Sequence, residues 1–238
     1  MRIRDALNLT TKVKYYCRMI RSIYWGQIFN NTVADSDWYI AKSISPGRWA
    51  VGYEFLYVLY RCLNDVKPQN ILELGLGQST KLITQFVHSK GLYHTIIEHD
   101  DEWINFFVNG WPHLSDKSRI KLLPIVLYQK NNEQYYAYQG FTDAVKNEKY
   151  ELICVDGPFG YMSRQYSRKD IIECLPDILA EKFIILFDDC DRLGERNTVA
   201  EVEQVLLKNN IEYSKGLYHG EKVVVIIVSK EWGFLCSV

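Results

Sequence analysis

The sequence predicts an α/β fold: a doubly wound, mostly parallel seven-stranded sheet that ends in a C-terminal antiparallel hairpin and follows an N-terminal helical layer. Three observations support this prediction. From Asn70 onward, short apolar runs alternate with stretches of helical spacing. Several of the apolar runs end in an acidic residue. The last two runs are separated only by HGE, a length typical of a hairpin turn.

The strands are predicted from short apolar runs bounded by turn residues or acids. In chain order they are Asn70–Leu74, His94–Ile97, Ile120–Leu127, Tyr150–Val155, Phe183–Phe187, Glu212–Tyr218 and Lys222–Ser229. Pro124 weakens the third strand, because proline cannot donate a hydrogen bond to a neighbouring strand. Strands that are separated by helices are expected to be parallel, whereas the last two must be antiparallel because a tight turn joins them.

The helices are predicted where apolar residues recur every three or four positions, as Leu82 and Phe86 do. They are Ser79–Lys90, Glu102–Asn109, Arg168–Leu179 and Thr198–Lys208. Pro176 is expected to kink or divide the third helix, because proline breaks the helical hydrogen-bond pattern. The stretch from Tyr128 to Lys149 fits neither period and is long enough to contain a further helix.

Residues 1–67 are predicted to form a helical lid or oligomerisation segment, and residues 68–238 to form the α/β domain. The first 25 residues are rich in Lys and Arg. One face of the predicted helix carries Val13, Tyr16, Cys17, Ile20 and Tyr24. Such a helix could pack on its own domain, pack on a second copy in a homo-oligomer, or lie on an anionic membrane. The aromatic residues of the following segment, which could cover a site, are Trp38, Tyr39, Trp49 and Tyr53.

Composition and charge restrict the class of protein. The chain is 47% hydrophobic and 24% charged, which is typical of a globular protein. A formal net charge of −1 favours no nucleic-acid partner. No apolar run approaches the roughly 18 residues of a membrane span, and the N-terminus lacks the apolar core of a signal peptide. The six cysteines form no C-x-x-C pair, so we expect reduced thiols and a cytoplasmic protein.

The stretch ILELGLGQST (Ile71–Thr80) predicts a ligand-binding glycine turn at the carboxyl edge of the sheet. A phosphate-binding P-loop is excluded, because no Lys follows the second glycine. A dinucleotide fingerprint is matched by Gly75 and Gly77, but Thr80 occupies its third glycine position. The third candidate is S-adenosyl-L-methionine (SAM), a cationic ligand that acids near the turn would suit. Glycines that serve packing alone remain an alternative.

At this point the chain resembles the class I SAM-dependent methyltransferases. The resemblance covers about residues 65–230 and rests on ELGLG (Glu73–Gly77), the acid Glu98 in IIEHD, VDGP (Val155–Pro158) and the final hairpin. It departs from the frequent family turn in having Ser79 in place of a third glycine. The donor-binding residues that the resemblance implies are Glu73, Gly75, Gly77, Ser79, Thr80, Glu98 and Asp156.

Three acids follow neighbouring strands: Asp156 after the fourth, and Asp188 and Asp189 after the fifth. Because parallel strands end at the same edge, these carboxylates should converge, and Mg²⁺ would relieve their repulsion. The pattern is similar to that of metal-dependent O-methyltransferases, which implies catalytic and metal-binding roles for all three acids. Alternatively, they cap a helix or bond to the backbone. His99 and Asp191 are candidates for a separate base.

These inferences predict SAM-dependent O-methylation of a carbohydrate or another small hydroxylated metabolite. The basic loop after Asp156 carries Arg164, Arg168 and Lys169, which suggests an anionic acceptor such as an acidic or phosphorylated sugar. Two alternatives remain open. One is a non-catalytic protein of the same fold that binds SAM or a partner, and the other is a nucleotide-cofactor oxidoreductase.

Overall fold

Nine strands are present in the computed structural model, which describes residues 3–237. They are β1 (Asn70–Leu74), β2 (Tyr93–Glu98), β3 (Ser118–Leu122), β4 (Ile125–Lys130), β5 (Glu133–Tyr138), β6 (Tyr150–Val155), β7 (Leu179–Phe187), β8 (Tyr213–His219) and β9 (Val223–Ser229). Seven form one sheet in the order β3-β2-β1-β6-β7-β9-β8. All neighbours are parallel except β9, which runs antiparallel to both β7 and β8. The predicted doubly wound sheet and C-terminal hairpin are confirmed.

Helices cover both faces of the sheet. They are α1 (Ile3–Thr32), α2 (Tyr53–Arg61), α3 (Gln78–Lys90), α4 (Asp101–Gly110), α5 (Phe141–Val145) and α6 (Leu193–Lys208), with a π-helical turn (Cys62–Val66) and 3-10 segments (Asp170–Cys174, Lys230–Cys236). Because side chains alternate along a strand, Ile71 packs with α2 and α3 whereas Leu72 packs in the core on the opposite face, with α6. The N-terminal layer therefore adds to one face of the sheet. The division of the chain at residue 67 stays a prediction.

The predicted strand Ile120–Leu127 is wrong, because it divides at Pro124. Its first part is β3, and its second part begins β4, which leaves the main sheet and pairs with β5 in a separate antiparallel hairpin. Proline has no N–H to continue a ladder. Its carbonyl instead accepts a hydrogen bond from the backbone N–H of Gln139, at 2.8 Å. The stretch left unassigned contains most of this hairpin and the short helix α5.

The predicted helix Arg168–Leu179 is also wrong. Only a 3-10 segment, Asp170–Cys174, forms there, and Leu179 already begins β7. Two backbone features explain the difference. Arg168 adopts a left-handed φ of +52°, and Leu175 is extended, with ψ of 143°, as the residue before a proline favours.

The long helix α1 divides into a projecting half and a packed half. Met1 and Arg2 and the side chains of residues 3–10 lie outside the description. Residues 11–24 are exposed or half-buried, and the core begins at Trp25 and continues with Phe29. The described part of the predicted amphipathic face therefore does not pack on its own domain. Within residues 3–237, no helix combines the length and hydropathy needed to cross a membrane.

Candidate active site

A cavity of about 370 Å³ opens where β1, β2, β6 and β7 end. Its walls come from the loops that follow these strands. They include the glycine turn after β1, Glu98 and His99 after β2, Asp156 and Gly157 after β6, and Asp189 and Arg192 after β7. This is the edge at which α/β sheets bind ligands, so the sequence prediction and the cavity agree on its location.

Gly75 is required by the geometry of the turn. Its φ is +99°, a value that side chains rarely adopt. A Cβ added there would also lie 3.2 Å from the backbone nitrogen of Gly157, on the loop after the neighbouring strand. Gly75 therefore lets the loops after β1 and β6 touch. Both Gly75 and Gly77 line the cavity.

A buried hydrogen-bond chain supports the turn from behind. The backbone N–H of Gly77 donates to the Thr80 hydroxyl at 2.9 Å, and that hydroxyl donates to Glu73 at 2.8 Å. Nε2 of the buried His94 lies 3.1 Å from the same Glu73 oxygen. Glu73, Ser79 and Thr80 are all buried and are not among the cavity-lining residues. Glu73 and Thr80 thus shape the turn from the interior, and all three of these predicted donor-binding residues lie behind the cavity wall.

Glu98 is a preorganised anion on the cavity wall. One of its oxygens accepts the backbone N–H of Leu76 at 2.9 Å, and the other accepts those of His99 at 2.6 Å and Asp100 at 3.1 Å. Burial acts to raise the pKa of Glu98, but these bonds and the His99 side chain outweigh it, so the pKa is lowered. The carboxylate therefore stays charged at the cavity wall.

The two candidate bases are in different places. His99 lines the cavity, with Nδ1 2.7 Å from Glu98 and its ring edge-on to Phe159 at a centroid distance of 4.6 Å. Asp191 is not among the lining residues and instead forms a 3.2 Å ion pair with Arg18 of α1. Only His99 is therefore placed to exchange a proton with a molecule in the cavity.

Asp156, Asp188 and Asp189 converge as the sequence predicts. Each offers an oxygen that lies within 4.8 Å of the others. Asp156 and Asp189 reach the cavity wall, whereas Asp188 is fully buried beneath it. A group of three carboxylates at this distance needs positive charge to be stable in a protein interior.

That positive charge comes from three basic side chains. Lys222, just before β9, lies 2.7 Å from Asp188 and 3.0 Å from Asp189. Arg168 lies 3.0 Å from Asp156 and 2.9 Å from Asp189. The half-exposed Arg192 lies 2.8 Å from Asp189. The formal charges of the three carboxylates and the three cations cancel.

These pairs set the ionisation of the acids. Burial raises the pKa of Asp156 and of Asp188, against the opposite effects of Arg168 and Lys222. For Asp189 the effect of burial is outweighed by the three cations, so its pKa is lowered. A divalent ion fits this arrangement poorly, because both oxygens of Asp189 already contact cations. We therefore derive no step through a metal.

No family model matches the sequence, and no curated protein matches it. The solved structures that resemble the fold include two methyltransferases. One is an O-methyltransferase from Bacillus cereus in complex with S-adenosylhomocysteine (SAH), 12% identical, with a TM-score of 0.52 over 92% of this chain and 97% of that chain. The other is the SAH-bound methyltransferase PaMTH1 from Podospora anserina, 15% identical, with a TM-score of 0.52 over 94% and 96%. The chain has the class I methyltransferase fold.

In this methyltransferase fold the segment between α1 and α2 reaches the cavity. Trp49 is 84% exposed and lines its mouth, whereas Trp38 and Tyr39 are buried in the core. The segment is attached to α3, since Gln78 accepts a hydrogen bond from the backbone of Ser45 at 2.9 Å. The predicted cover over the site thus consists of one exposed tryptophan on an anchored loop.

The basic loop after Asp156 does not present all of its charges to the cavity of the methyltransferase fold. Arg168 is 6% exposed and belongs to the carboxylate cluster. Lys169 forms a 2.7 Å ion pair with Glu201. Arg164 is exposed but does not line the cavity. The sequence does contain one indication of the roles of Arg168 and Lys222. Three acids that converge in a protein interior need basic partners.

Proposed function

We propose that this chain is a SAM-dependent methyltransferase. One observation carries the proposal: in a class I methyltransferase fold, the glycine turn, the charged Glu98 and Asp156 line one cavity at the sheet edge. The two similar structures contain SAH, which is the product of the donor.

We infer the orientation of the donor in the cavity from the order of the strands. Adjacent strands lie about 4.8 Å apart, and β1 separates β2 from β6. Glu98 and Asp156 therefore mark two ends of the cavity about 10 Å apart. We place the ribose hydroxyls at Glu98, because an ionised carboxylate accepts them well. The methionyl part then lies at the glycine turn, and the methyl group points toward Asp156.

The proposed reaction is an in-line displacement. The acceptor oxygen forms a bond to the methyl carbon, the sulfonium–methyl bond breaks, and SAH leaves with the electron pair. The hydroxyl proton must go to a base, and His99 is the candidate, because its Nδ1 contacts Glu98 while its ring lies 4.6 Å from that of Phe159, on the loop that follows Asp156. The remainder of catalysis is the alignment of donor and acceptor.

We propose a small hydroxylated acceptor, such as a carbohydrate. Exposed aromatic side chains line the mouth of the cavity: Trp49, Phe159 and Tyr161. Their faces suit the apolar side of a sugar ring or another flat ring. Of the basic side chains near the site, Arg192 is the one that both lines the cavity and remains half-exposed, so it would hold an anionic group if the acceptor carries one.

We also propose that the chain forms a homo-oligomer through α1. Val13, Tyr16, Ile20 and Ile23 recur at spacings of three and four residues, and each is more than half exposed. This 3.5-residue repeat is typical of a helix that packs against a second helix. A cytoplasmic location is proposed on the cysteines, all six of which are free thiols, as a reducing compartment keeps them.

Calorimetric titration with SAM, SAH and NADH tests the function. We expect SAH to bind and NADH not to bind. Gly75→Ala should weaken SAH binding at least about tenfold, since the added Cβ separates the two loops. Gly91→Ala is the matched control, because Gly91 also has a positive φ of +69° but has no atom within 4 Å of the added Cβ.

The other outcomes separate the alternatives. Binding of NADH without SAH would select the oxidoreductase and end the methyltransferase proposal. Binding of SAH without methyl transfer to any of a panel of hydroxylated acceptors would favour the non-catalytic alternative. Equal loss of SAH binding in both glycine variants would show that strain, and not the loop contact, explains the effect.

A further inference from the structure

We propose that Arg168 and Lys222 occupy the place of a divalent cation among Asp156, Asp188 and Asp189, so that this carboxylate cluster binds no metal. The further consequence, methyl transfer that needs no metal, rests on the proposed function. The sequence pattern alone predicts the opposite, because the three acids resemble the ligands of metal-dependent O-methyltransferases.

The two cations make the bridging contacts that a metal ion would make. Lys222 Nζ bridges Asp188 at 2.7 Å and Asp189 at 3.0 Å. The Arg168 guanidinium bridges Asp156 at 3.0 Å and Asp189 at 2.9 Å. A divalent ion stabilises such a cluster by bridging pairs of carboxylates. Here each bridge is made by a basic side chain of the protein.

Both cations are fixed. Lys222 is 8% exposed and Arg168 is 6% exposed. The backbone N–H of Lys222 donates to the buried Glu54 of α2 at 2.9 Å. The Arg168 guanidinium also donates to the carbonyl oxygens of Pro158 and Asp188, at 3.4 and 3.3 Å. An entering metal ion would have to displace two buried cations, and each would then lack its counter-charge.

The backbone is also adapted to the pair. Arg168 has a φ of +52° and Asp189 has a φ of +59°, so both partners of one ion pair are in the left-handed region. Such conformations persist where the surroundings hold them. Asp188 Oδ1 is the buried oxygen of the cluster that has no hydrogen-bond partner among the described residues. A Mg²⁺ ion held by this oxygen would lie beside the two buried cations that already pair with the cluster, and like charges repel.

The direct test is a titration of the full-length, EDTA-treated protein with Mn²⁺, followed by the electron paramagnetic resonance of free Mn²⁺. We expect no stoichiometric binding to the wild-type protein and an unfolding midpoint that Mn²⁺ and Mg²⁺ do not shift. Binding of one equivalent that is lost in Asp189→Asn would overturn the proposal. This measurement decides the matter even when other variants do not fold.

Removal of one bridge should open the site. We expect Lys222→Met to gain Mn²⁺ affinity at least about tenfold, because a positive charge beside two carboxylates is gone. Its unfolding midpoint should then rise with Mn²⁺. Lys215→Met is the matched control, since Lys215 lies on the same hairpin and pairs with Glu203 at 2.7 Å, outside the cluster. A folded Lys222→Met protein that binds no more Mn²⁺ than the control contradicts the proposal.

Titration of the same samples with SAH keeps the two proposals apart. If neither SAH nor Mn²⁺ binds, the proposed function is wrong, but the inference that the carboxylate cluster binds no metal still holds. SAH binding together with Mn²⁺ bound at Asp189 would keep the function and remove this inference.

Discussion

Thr80 connects the sequence motif to the interior of the protein. Its hydroxyl accepts from Gly77 at 2.9 Å and donates to Glu73 at 2.8 Å, so one oxygen joins the glycine turn to a buried acid. In the sequence, Thr80 is a departure from the dinucleotide fingerprint and a predicted donor-binding residue. Its role depends on the burial of Glu73, which the spacing of residues in the sequence does not specify.

We predict that Thr80→Val lowers the free energy of unfolding by about 1–3 kcal/mol, because it removes the hydrogen bond from Thr80 to the buried Glu73 carboxylate. Thr80→Ser keeps the hydroxyl and should lose less. Urea denaturation of the three proteins measures the difference, and SAH titration shows whether the turn is altered. Equal stabilities of the Val and Ser variants would show that the hydroxyl contributes nothing.

Asp170 is a buried acid outside the carboxylate cluster. One oxygen accepts the backbone N–H of Tyr138 at 2.6 Å, and the other has no partner among the described residues. Burial, opposed in part by that hydrogen bond, raises the pKa of Asp170 from 3.8 to about 7. The folded protein therefore holds a proton there that the unfolded chain has released.

The sign of the pH effect follows from this difference. Between about pH 4 and pH 7 the folded state binds more protons than the unfolded state, so its stability falls as pH rises through this window. We predict that Asp170→Asn, which cannot ionise, is more stable relative to wild type at pH 8 than at pH 5. Urea denaturation at both pH values checks this. A pH-independent difference would contradict the raised pKa.

Some contacts at the residue scale could be predicted and others could not. The convergence of Asp156, Asp188 and Asp189 was predictable, because parallel strands end at one edge. The pairing of Lys222 with Asp188 was not, since it joins residues 34 positions apart through the antiparallel register of β9 on β7. Local patterns contain no information on that register.

At the scale of elements, the strand predictions were right where nearly every residue of the strand is buried and therefore apolar. The central strands β1, β6 and β9 are almost entirely buried, and their apolar runs show it. The two wrong predictions both contain proline. The hairpin β4–β5 is mostly half-buried or exposed, so its sequence has no strong period to detect.

Gln85 of α3 attaches the segment between α1 and α2, residues 33–52, to the domain. Its side-chain oxygen accepts from Ile40 at 3.0 Å and Ala41 at 2.7 Å, and its nitrogen donates to the carbonyls of Ala41 at 3.1 Å and Lys81 at 2.8 Å. Three of these four hydrogen bonds join the segment to α3, and Gln78 and Lys81 of the same helix add one each.

We predict that Gln85→Ala lowers stability by about 1–3 kcal/mol, because partly buried backbone groups of Ile40 and Ala41 lose their partners. Proteolytic cleavage within residues 35–50 should also become faster. Gln27→Ala is the matched control, because Gln27 is exposed and makes one hydrogen bond, to Asn31. Equal cleavage of the two variants would show that Gln85 does not hold the segment.

At the scale of the whole molecule, the N-terminal layer and the sheet share one core. Trp25 and Phe29 of α1 belong to the same apolar cluster as Ile71 and Leu152 of the sheet. The half of α1 before Trp25 adds large apolar side chains with no cover of their own in the described structure, such as Ile20, 65% exposed, and Ile23, 70% exposed. Most of the stability of a helix in a protein comes from the packing of its apolar face, so this half of α1 would gain stability from a partner.

Two truncations separate these two halves of α1. We predict that removal of residues 1–21 leaves the sheet domain folded and converts the protein to a monomer, because the side chains described in this stretch, those of residues 11–21, are exposed. The ion pair that this removes from the described side chains, between Arg18 and Asp191, is exposed and contributes little. Removal of residues 1–32 also deletes Trp25 and Phe29, and should lower stability by several kcal/mol, since aromatic core deletions cost about 3–5 kcal/mol each.

Sedimentation velocity of the full chain, of both truncations and of Ile20→Glu measures the oligomeric state. Ile20→Glu introduces a charge into the exposed apolar face and should give a monomer that unfolds with the same midpoint as the shorter truncation. A full-length monomer that binds anionic vesicles, with binding lost in Ile20→Glu, would replace the homo-oligomer with a membrane surface as the partner of α1. An oligomer that survives in the shorter truncation would show that a different face of the domain associates, and α1 would then require another explanation.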